Sequence, residues 1–311
     1  METMSVTCVV VTRARLDLLK ECLNAVVAQS YPIKELIIVE NFGQDATEQF
    51  LVDHYALDQI ESTSSYVRYQ TALEYGAVSS ITLFAKKIND GGAGGFSFGL
   101  QHAKAEFFWL MDDDSIPERR CLERLVSTIE ANKSLHYGNV GFVASHVMWR
   151  QNTHRMNMPR FHVQYGFPFL ESASFVSILI SQAAVREAGL PIAEFFIYSD
   201  DVEYTQRISS LGYVGILCLD SKCQHMTKSN SGTDLASLYQ AEPWKLFYGI
   251  RNYLYLIKRE KGRWIWLWVS IKVSLKCLSL AAALSSYPKI LHVFKAIRVS
   301  GSFKPRMRSV E

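Results

Sequence analysis

Short, almost wholly apolar runs alternate along the chain with longer segments in which apolar residues recur at helical spacing. The runs at 7–12 and 36–39 are rich in β-branched residues, which is typical of strands buried on both faces of a parallel sheet. Between them, residues 16–28 have the periodicity of an amphipathic helix, which Tyr31-Pro32 brings to an end. This order predicts a βαβ unit, and such units bind ligands at the carboxyl ends of their strands.

The same alternation continues through the first two thirds of the sequence. Further strands are predicted at 80–85, 107–111, 140–146 and 213–219, and further helices at 96–105, 119–131, 184–189 and 202–211. Residues 59–65 predict a surface loop. We therefore expect an α/β fold with a mainly parallel central sheet over residues 1–240, followed by a basic, amphipathic helical region over residues 241–311.

The composition is that of a chain with a sizeable core. Hydrophobic residues make up 49% of the 311 positions and charged residues 20%, which excludes collagen-like, coiled-coil and disordered classes. The six cysteines include no Cys-x-x-Cys pair, as expected of reduced thiols in the cytosol. Cys218, Cys223 and His225 lack a fourth ligand at a recognisable spacing, so a zinc site is not favoured there. The apolar run at 6–12 is too short for a signal peptide.

The charge is divided unevenly along the chain. Residues 245–311 hold 14 of the 33 Lys and Arg residues but only Glu260 and Glu311 of the 30 acidic ones, a formal charge of +12. The first 244 residues carry −9. An acidic body with a basic end is expected of a protein that meets an anionic surface, either a membrane or a nucleic acid.

Three consecutive carboxylates end the predicted strand 107–111. Asp112, Asp113 and Asp114 repel one another, so they are tolerable only in full solvent or around a cation. Alternate residues of an extended chain point the same way, so Asp112 and Asp114 could share an ion while Asp113 faces elsewhere. A solvated turn in which Asp114 or Ser115 caps the next helix is the other interpretation.

A glycine-rich segment follows the strand at 80–85. Four of the five residues 91–95 are glycines, which let a backbone approach a ligand closely, and amides at a helix start hold phosphate oxygens. No Gly-Lys-Ser/Thr follows, so the segment is not a P-loop. A flexible linker is the alternative, which the apolar Phe96 and Phe98 make less favourable.

Two further positions could carry chemistry. In residues 199–203, Asp200 could cap a helix with Glu203 closing a capping box, which leaves Asp201 free to act as a general base. His225 lies beyond the strand at 213–219, where it is either a metal ligand or an ordinary loop histidine.

The order of these pieces resembles the inverting, nucleotide-sugar-dependent glycosyltransferases with a GT-A fold, the large family that includes cellulose and rhamnan synthases. Within it, the chain looks most like bacterial galactofuranosyltransferases. The resemblance spans about residues 6–255 and rests on the segments 9–13, 29–32, 37–41, 89–96, 109–114, 198–204 and 248–252.

The resemblance implies roles for individual residues. A divalent cation that bridges the donor diphosphate would be held by Asp112, Asp114 and His225, and Asp201 would be the base. Donor contacts would come from Thr12, Arg13, Glu40, Asp45, Asn89, Gly92, Gly94, Gly95, Asp112 and Asp113. The sugar or acceptor pocket would be lined by Asp200, Glu203 and Trp244.

The chemistry of glycosyl transfer agrees with these roles. An acceptor hydroxyl that attacks an anomeric carbon needs a base, and the departing diphosphate needs a cation as Lewis acid. Two carboxylates suit Mg²⁺ or Mn²⁺, and an imidazole favours Mn²⁺. We expect transfer of galactofuranose from its UDP donor to a lipid-linked glycan acceptor for a surface polysaccharide. The alternatives are a rhamnosyltransferase that uses a dTDP-sugar, a sugar nucleotidyltransferase and a non-catalytic sugar-nucleotide-binding protein.

The C-terminal region contains an apolar segment at 264–284 that opens with Trp264, Trp266 and Trp268. It is long enough to span a bilayer, but Lys272 and Lys276 would each cost about 2.5–3.5 kcal/mol at the midplane. A helix lying in the membrane interface is favoured over a spanning helix, a strand or a buried core helix. The aromatics sit among Ile, Leu and Val, so nucleic-acid binding is not expected. The protein would then be peripheral, on the cytoplasmic face of the plasma membrane.

Overall fold

The computed structural model describes residues 3–135, 138–149, 161–164, 166–227 and 234–310. Its strands are β1 (Val6–Thr12), β2 (Glu35–Glu40), β3 (Asp58–Ser62), β4 (Tyr66–Thr71), β5 (Ile81–Lys86), β6 (Phe107–Asp112), β7 (Ser115–Pro117), β8 (Val140–Trp149), β9 (Phe161–Gln164), β10 (Phe167–Leu170), β11 (Ile178–Ser181) and β12 (Val214–His225). Its α-helices are α1 (Leu16–Val27), α2 (Thr47–His54), α3 (Gly91–His102), α4 (Cys121–Leu135), α5 (Gln182–Ala188), α6 (Asp200–Ser210), α7 (Leu235–Gln240), α8 (Pro243–Leu284) and α9 (Lys289–Ser302).

One sheet runs through the molecule in the order β3-β4-β5-β2-β1-β6-β11-β8-β12-β10-β9, and β7 pairs with β12. The predicted parallel character is confirmed at its centre, where β5, β2, β1 and β6 are parallel, as are β8 and β12. The sheet as a whole is mixed, because β11 and the strands at both edges pair antiparallel. The loop predicted at 59–65 is wrong, since most of it forms the exposed strand β3 of a hairpin with β4.

The β1 strand separates the two layers of the main core. Val6, Cys8 and Val10 pack into one apolar cluster, and Val9 and Val11 pack into a second cluster on the opposite face. Every residue of β1 is buried, which explains why its sequence is apolar throughout rather than alternating. The carboxyl end of β1 therefore opens at the edge of a rigid, doubly covered sheet.

The glycine-rich segment is a helix rather than a loop. A Cβ added at Gly95 would lie 2.4 Å from a methyl of Val11, and one added at Gly99 would lie 2.5 Å from a methyl of Val9. Glycine is a poor helix former, so the close packing of α3 on β1 overrides its propensity. Gly94 and Gly95 thus lie within the helix against Asp90 and Val11, and their contact with a donor stays a prediction.

The C-terminal region is helical, as predicted. Helix α8 contains a kink at Gly262, whose φ of 84° and ψ of 173° are non-helical, and its second segment packs against α9 through a separate apolar cluster. By length and composition α8 could cross a membrane, and only 22% of its most apolar window is buried inside the protein. The buried-core-helix alternative is therefore wrong for this segment.

The C-terminal region also contacts the sheet domain. In the first segment of α8, Leu256 packs with Ala93 and Phe195. The chain after α9 returns to the body, where the amide of Leu190 donates to the carbonyl of Arg308 at 2.8 Å. The division into residues 1–240 and 241–311 stays a prediction, and these contacts cross it.

Candidate active site

A cavity of about 670 Å³ opens at the carboxyl ends of β1 and β6. The start of α3 forms one wall and the start of α6 forms another. Sequence-predicted site residues that line the cavity are Thr12, Arg13, Asn89, Gly92, Asp112, Asp114, Asp200, Asp201, His225 and Trp244. This is the position at which a doubly wound sheet binds its ligands.

The aspartate triplet at the end of β6 is split between two environments. Asp112 and Asp114 line the cavity, while Asp113 is fully buried behind them and accepts a hydrogen bond of 2.7 Å from the hydroxyl of Thr12. Asp113 is therefore not a lining residue, and its expected contact with the donor stays a prediction. Its carboxylate instead fixes the turn between β6 and β7.

His225 completes a cluster of three possible metal ligands. The pairing of β12 with β7 places it opposite Ser115, and its Nε2 lies 3.0 Å from Oδ1 of Asp114. The ligand atoms of Asp112, Asp114 and His225 all lie within 4.8 Å of one another. His225 thus joins the two carboxylates rather than Cys218, whose sulfur accepts from Thr128 at 3.2 Å.

The electrostatics of the cluster fit a divalent cation. Burial, followed by the charge of Asp114, raises the pKa of Asp112. Burial also acts to raise the pKa of Asp114, but the hydrogen bond and charge of His225, with Arg15, outweigh it and lower this pKa. Burial acts to lower the pKa of His225. The hydrogen bond and charge of Asp114, together with the charge of Asp112, outweigh burial, so this pKa is raised. Two carboxylates and one imidazole are a donor set that suits Mn²⁺ or Mg²⁺.

Arg15 holds the triplet in place, a role that the sequence did not indicate. Its guanidinium contacts Asp113 at 2.5 Å and Asp114 at 2.8 Å, and it lies at the cavity wall, about half exposed. One oxygen of Asp114 thus meets Arg15 and the other meets His225. Arg15 would keep the Asp114 carboxylate aimed at the cluster.

Asp200 and Asp201 form the opposite side of the cavity at the first turn of α6. Burial and the charge of Asp201 push the pKa of Asp200 well above its usual range. Burial raises the pKa of Asp201 to about 6. Burial thus disfavours the charged form of Asp200, and the pKa of Asp201 lies in a range that suits a group that accepts a proton near neutral pH.

The model of the family described as glycosyl transferase family 2 matches residues 7–175, from β1 to the segment before β11. The chain belongs to glycosyl transferase family 2. The protein is thus a glycosyltransferase with a GT-A-like α/β fold.

Several known proteins resemble this family 2 chain. The galactofuranosyltransferase GlfT1 of Mycobacterium tuberculosis is 27% identical over 277 residues, which is 83% of each chain. The structure of S. aureus TarS has a TM-score of 0.54 at 14% identity. The match covers 82% of this chain and 40% of the TarS chain. The mannosyltransferase PcManGT of Pyrobaculum calidifontis, in complex with GDP-Man and Mn²⁺, has a TM-score of 0.54 at 15% identity and covers 96% of this chain and 88% of its own.

Two asparagines at the cavity wall hold the start of α3. Asn41 was not singled out from the sequence, yet its amide donates to the carbonyl of Gly91 at 2.8 Å and so fixes the helix start. Asn89 accepts from the amide of Gly91 at 3.0 Å. Gly92 lines the cavity at the first helical turn, where the helix dipole favours phosphate oxygens, although the neighbouring amides of Gly91 and Ala93 already donate to Asn89 and Phe196.

Glu40 and Asp45, which were expected near the nucleoside, lie outside the cavity lining. Glu40 is buried and accepts from the amide of Gly43, and burial raises its pKa to about 7. Asp45 accepts from the amide of Thr47 at 3.2 Å, at the start of α2. Both carboxylates hold local turns beyond β2, and their contact with a nucleoside stays a prediction.

The capping box predicted at α6 is wrong. The residue before the helix is Ser199, with a φ of 62°, and no side chain caps the helix. Glu203 is fully buried and pairs with Arg207 at 3.0 Å and with Arg259 of α8, outside the cavity lining. It ties α6 to α8, and its place in the acceptor pocket stays a prediction.

Trp244 lies at the cavity wall with 44% of its surface exposed. Its ring stands at 89° to that of Phe196, which stacks on Tyr248 with 4.8 Å between ring centres. Phe196 also lines the cavity. The three rings form an apolar, partly exposed platform of the kind that packs against the face of a sugar.

Proposed function

We propose that this chain is an inverting galactofuranosyltransferase that transfers the sugar from UDP-galactofuranose to a hydroxyl of a lipid-linked glycan acceptor. The observation that carries the proposal is the convergence of Asp112, Asp114, His225 and Asp201 on one cavity. The donor sugar is inferred from the 27% identity with GlfT1 over 83% of both chains. The product would enter a surface polysaccharide such as an O-antigen, a capsule or a cell-wall galactan.

The donor diphosphate would lie between the start of α3 and the metal ligands. Asp112, Asp114 and His225 would hold Mn²⁺ or Mg²⁺, which neutralises the charge on the departing diphosphate when it is bound. The complex of the similarly folded PcManGT with GDP-Man and Mn²⁺ supports the proposal of a divalent cation beside a nucleotide sugar. The first-turn amides near Gly92 would bind phosphate oxygens from the other side.

Asp201 would act as the general base. As the acceptor oxygen bonds to the anomeric carbon, its proton passes to the Asp201 carboxylate, and the bond between the anomeric carbon and the diphosphate breaks. Nucleoside diphosphate leaves, and the configuration inverts because a single displacement occurs. Asp200, whose pKa is raised by burial and by the charge of Asp201, lines the same cavity and would contact the sugar or the acceptor.

The second segment of α8 and helix α9 would lie in the membrane interface. Their exposed apolar residues define the outer helical face: Trp264, Ile265, Leu267, Trp268, Ile271, Leu275, Leu278, Leu284, Tyr287, Leu291 and Phe294. Lys272 and Lys276 are exposed beside this face, and the ammonium of Lys272 lies 3.5 Å from the ring centre of Trp268. Cations flanking an apolar stripe suit an anionic headgroup layer, as would be met on the cytoplasmic face of the plasma membrane.

One assay tests the donor and the reaction together. The purified protein is incubated with Mn²⁺ and, in turn, UDP-galactofuranose, dTDP-rhamnose and other nucleotide sugars, and the released nucleotide is measured. Release of UDP from UDP-galactofuranose above all others is the expected result. Release of dTDP would point to a rhamnosyltransferase, and pyrophosphate formed from a sugar phosphate and a nucleoside triphosphate would point to a nucleotidyltransferase. Donor binding without turnover would contradict an enzymatic role.

A further inference from the structure

The segment that leads into Asp200 and Asp201 has an unfavourable backbone conformation. Phe196, Tyr198 and Ser199 have φ values of 65°, 68° and 62°, in the left-handed region that residues with a Cβ rarely adopt. Three such residues within four positions persist only where the surroundings hold them. The position of the catalytic pair therefore depends on what contacts this segment.

Asn252 of α8 holds three of its carbonyl groups. The side-chain amide is fully buried, and its nitrogen lies 3.0 Å from the carbonyl oxygen of Phe195, 2.9 Å from that of Ile197 and 2.8 Å from that of Tyr198. One amide group thus serves successive carbonyls of a tight bend. Without it, the carbonyls of Ile197 and Tyr198 would lose this donor in the interior, which is unfavourable, whereas the carbonyl of Phe195 would keep the amide of Ile197 at 2.7 Å and Nη2 of Arg251 at 3.3 Å.

Arg251 fixes the orientation of that amide. Its Nε and Nη2 donate to Oδ1 of Asn252 at 2.9 and 2.7 Å, and Nη2 also donates to the carbonyl of Glu194 at 2.6 Å. A guanidinium can only donate, so the oxygen of Asn252 must face Arg251 and its nitrogen must face the bend. Arg251 is itself buried between aromatic rings, with 4.1 Å to the ring centre of Phe303 and 4.7 Å to that of Tyr248.

The opposite side of the bend rests on the donor wall of the cavity. The carbonyl of Phe196 accepts from the amide of Ala93 in α3 at 3.3 Å. A Cβ added at Gly91 would lie 2.0 Å from that same carbonyl oxygen, so the two segments are in close contact. The bend is clamped between α3, which forms the phosphate side of the cavity, and Asn252 of α8.

We propose that Asn252, oriented by Arg251, is a positioning residue that sets the place of Asp201 relative to the bound donor. The inference rests on the proposed role of Asp201 as the base. The pair belongs to the segment 248–252 that the sequence singled out without a role, and neither residue lines the cavity. Asn252 thus acts through the bend and not on the substrate.

The test is Asn252→Asp, which keeps the oxygen that faces Arg251 and replaces the nitrogen that faces the three carbonyls. We expect kcat for transfer to fall about 100-fold, as for a displaced catalytic group, while the Kd for UDP with Mn²⁺ changes less than about threefold. Asn132→Asp is the matched control, because Asn132 is a buried asparagine of α4 whose amide donates to the carbonyl of Gly138 at 2.9 Å. The control should lower the unfolding temperature and leave kcat unchanged.

A second variant covers the case in which Asn252→Asp does not fold. Arg251→Lys keeps the positive charge but cannot donate twice to Asn252, so we expect a fall in kcat of about tenfold with UDP affinity retained. Normal kcat in the folded variants would overturn the proposal. So would an equal loss of kcat in Asn132→Asp, or a loss of UDP affinity in proportion to kcat, because either would indicate a merely structural role.

A separate variant, Asp201→Asn, tests the proposed function independently of the positioning role of Asn252. If Asp201→Asn turns over normally, Asp201 is not the base and the proposed function falls, whatever Asn252→Asp does. If Asp201→Asn is inactive while Asn252→Asp keeps its kcat, the base assignment stands and the positioning role is wrong.

Discussion

The two sides of the cavity are built in different ways. Asp112 and Asp114 continue directly from β6, a central strand with buried neighbours on both sides. Asp200 and Asp201 instead follow a left-handed bend whose carbonyls are held by Asn252, 54 to 57 residues later in the chain. The metal side therefore depends mainly on the central sheet and on Arg15 just after β1, and the base side depends on a helix from the C-terminal region. Substitutions on the two sides should accordingly separate metal binding from turnover.

The largest effect is expected on the metal side, from Asp114→Ala. This change removes a carboxylate that contacts both His225 and Arg15, so Mn²⁺ binding should be lost and transfer should fall about 10,000-fold. Transfer kinetics and Mn²⁺ titration provide the measurements. Asp220→Asn, at an exposed aspartate of the same strand as His225, is the control and should change neither. Full Mn²⁺ affinity in Asp114→Ala would remove Asp114 from the ligand set.

On the base side, Asp201→Asn should lower kcat about 1,000-fold, because the amide cannot accept the acceptor proton. Mn²⁺ and UDP should bind as in the unchanged protein, since Asp112 and Asp114 are untouched. Calorimetry of UDP binding beside single-turnover kinetics would show the separation. A parallel loss of nucleotide binding would mean that the two sides are not independent.

The pH dependence sharpens the same comparison. Burial is the main cause that raises the pKa of Asp201 to about 6, with the charge of Asp112 acting in the same direction. A base must be ionised, so kcat/KM should be full above this pKa and fall about tenfold per unit as the pH drops below it. A profile that is flat between about pH 5 and about pH 7 would contradict the assignment of Asp201 as the base.

These side chains differ in how far their positions could be predicted from sequence. Apolar runs predicted where β1 and β6 end, and the alternation of an extended chain separated Asp113 from its neighbours. His225 was expected beyond a strand ending at 219, but β12 continues past a register shift between Cys218 and Lys222, and its pairing with β8 and β7 extends it to His225. That pairing is a long-range contact, which no local pattern reveals.

The base side was harder to predict than the metal side, because it too depends on contacts between residues far apart in the sequence. Asp200 and Glu203 have the spacing of a capping box, but Glu203 is drawn away by Arg207 and by Arg259 of α8. The glycines of α3 suggest a loop by propensity, yet close packing on β1 makes them helical. In each case a tertiary contact outweighs a local preference.

A smaller effect is expected from Arg15→Gln. Arg15 contacts the metal-side carboxylates without belonging to the cluster, so its loss should weaken Mn²⁺ binding about tenfold. Because Asp113 is fully buried, losing its ionic partner should also lower the unfolding temperature. Mn²⁺ titration and thermal unfolding measure the two effects, and an unchanged Mn²⁺ affinity would mean that His225 alone orients Asp114.

The smallest effect on turnover is expected at the outer helical face. Deleting residues from 263 onward is a poor test, because the returning chain contacts the body through Arg308. The double change Trp264→Ser with Trp268→Ser should instead reduce binding to anionic lipid vesicles, about tenfold for each tryptophan, since these side chains are exposed in the free protein. Hydrolysis of a soluble donor should not change, because this face lies outside the cavity lining.

The control for this face uses two exposed leucines. Leu275 lies on the outer helical face and Leu211 lies at the end of α6, with 62% and 41% of their surfaces exposed. Leu275→Ser should weaken vesicle binding and Leu211→Ser should not, although each removes the same apolar group. If the two variants lose equal affinity, the attraction is a general property of the basic chain, and the outer helical face has no special part in it.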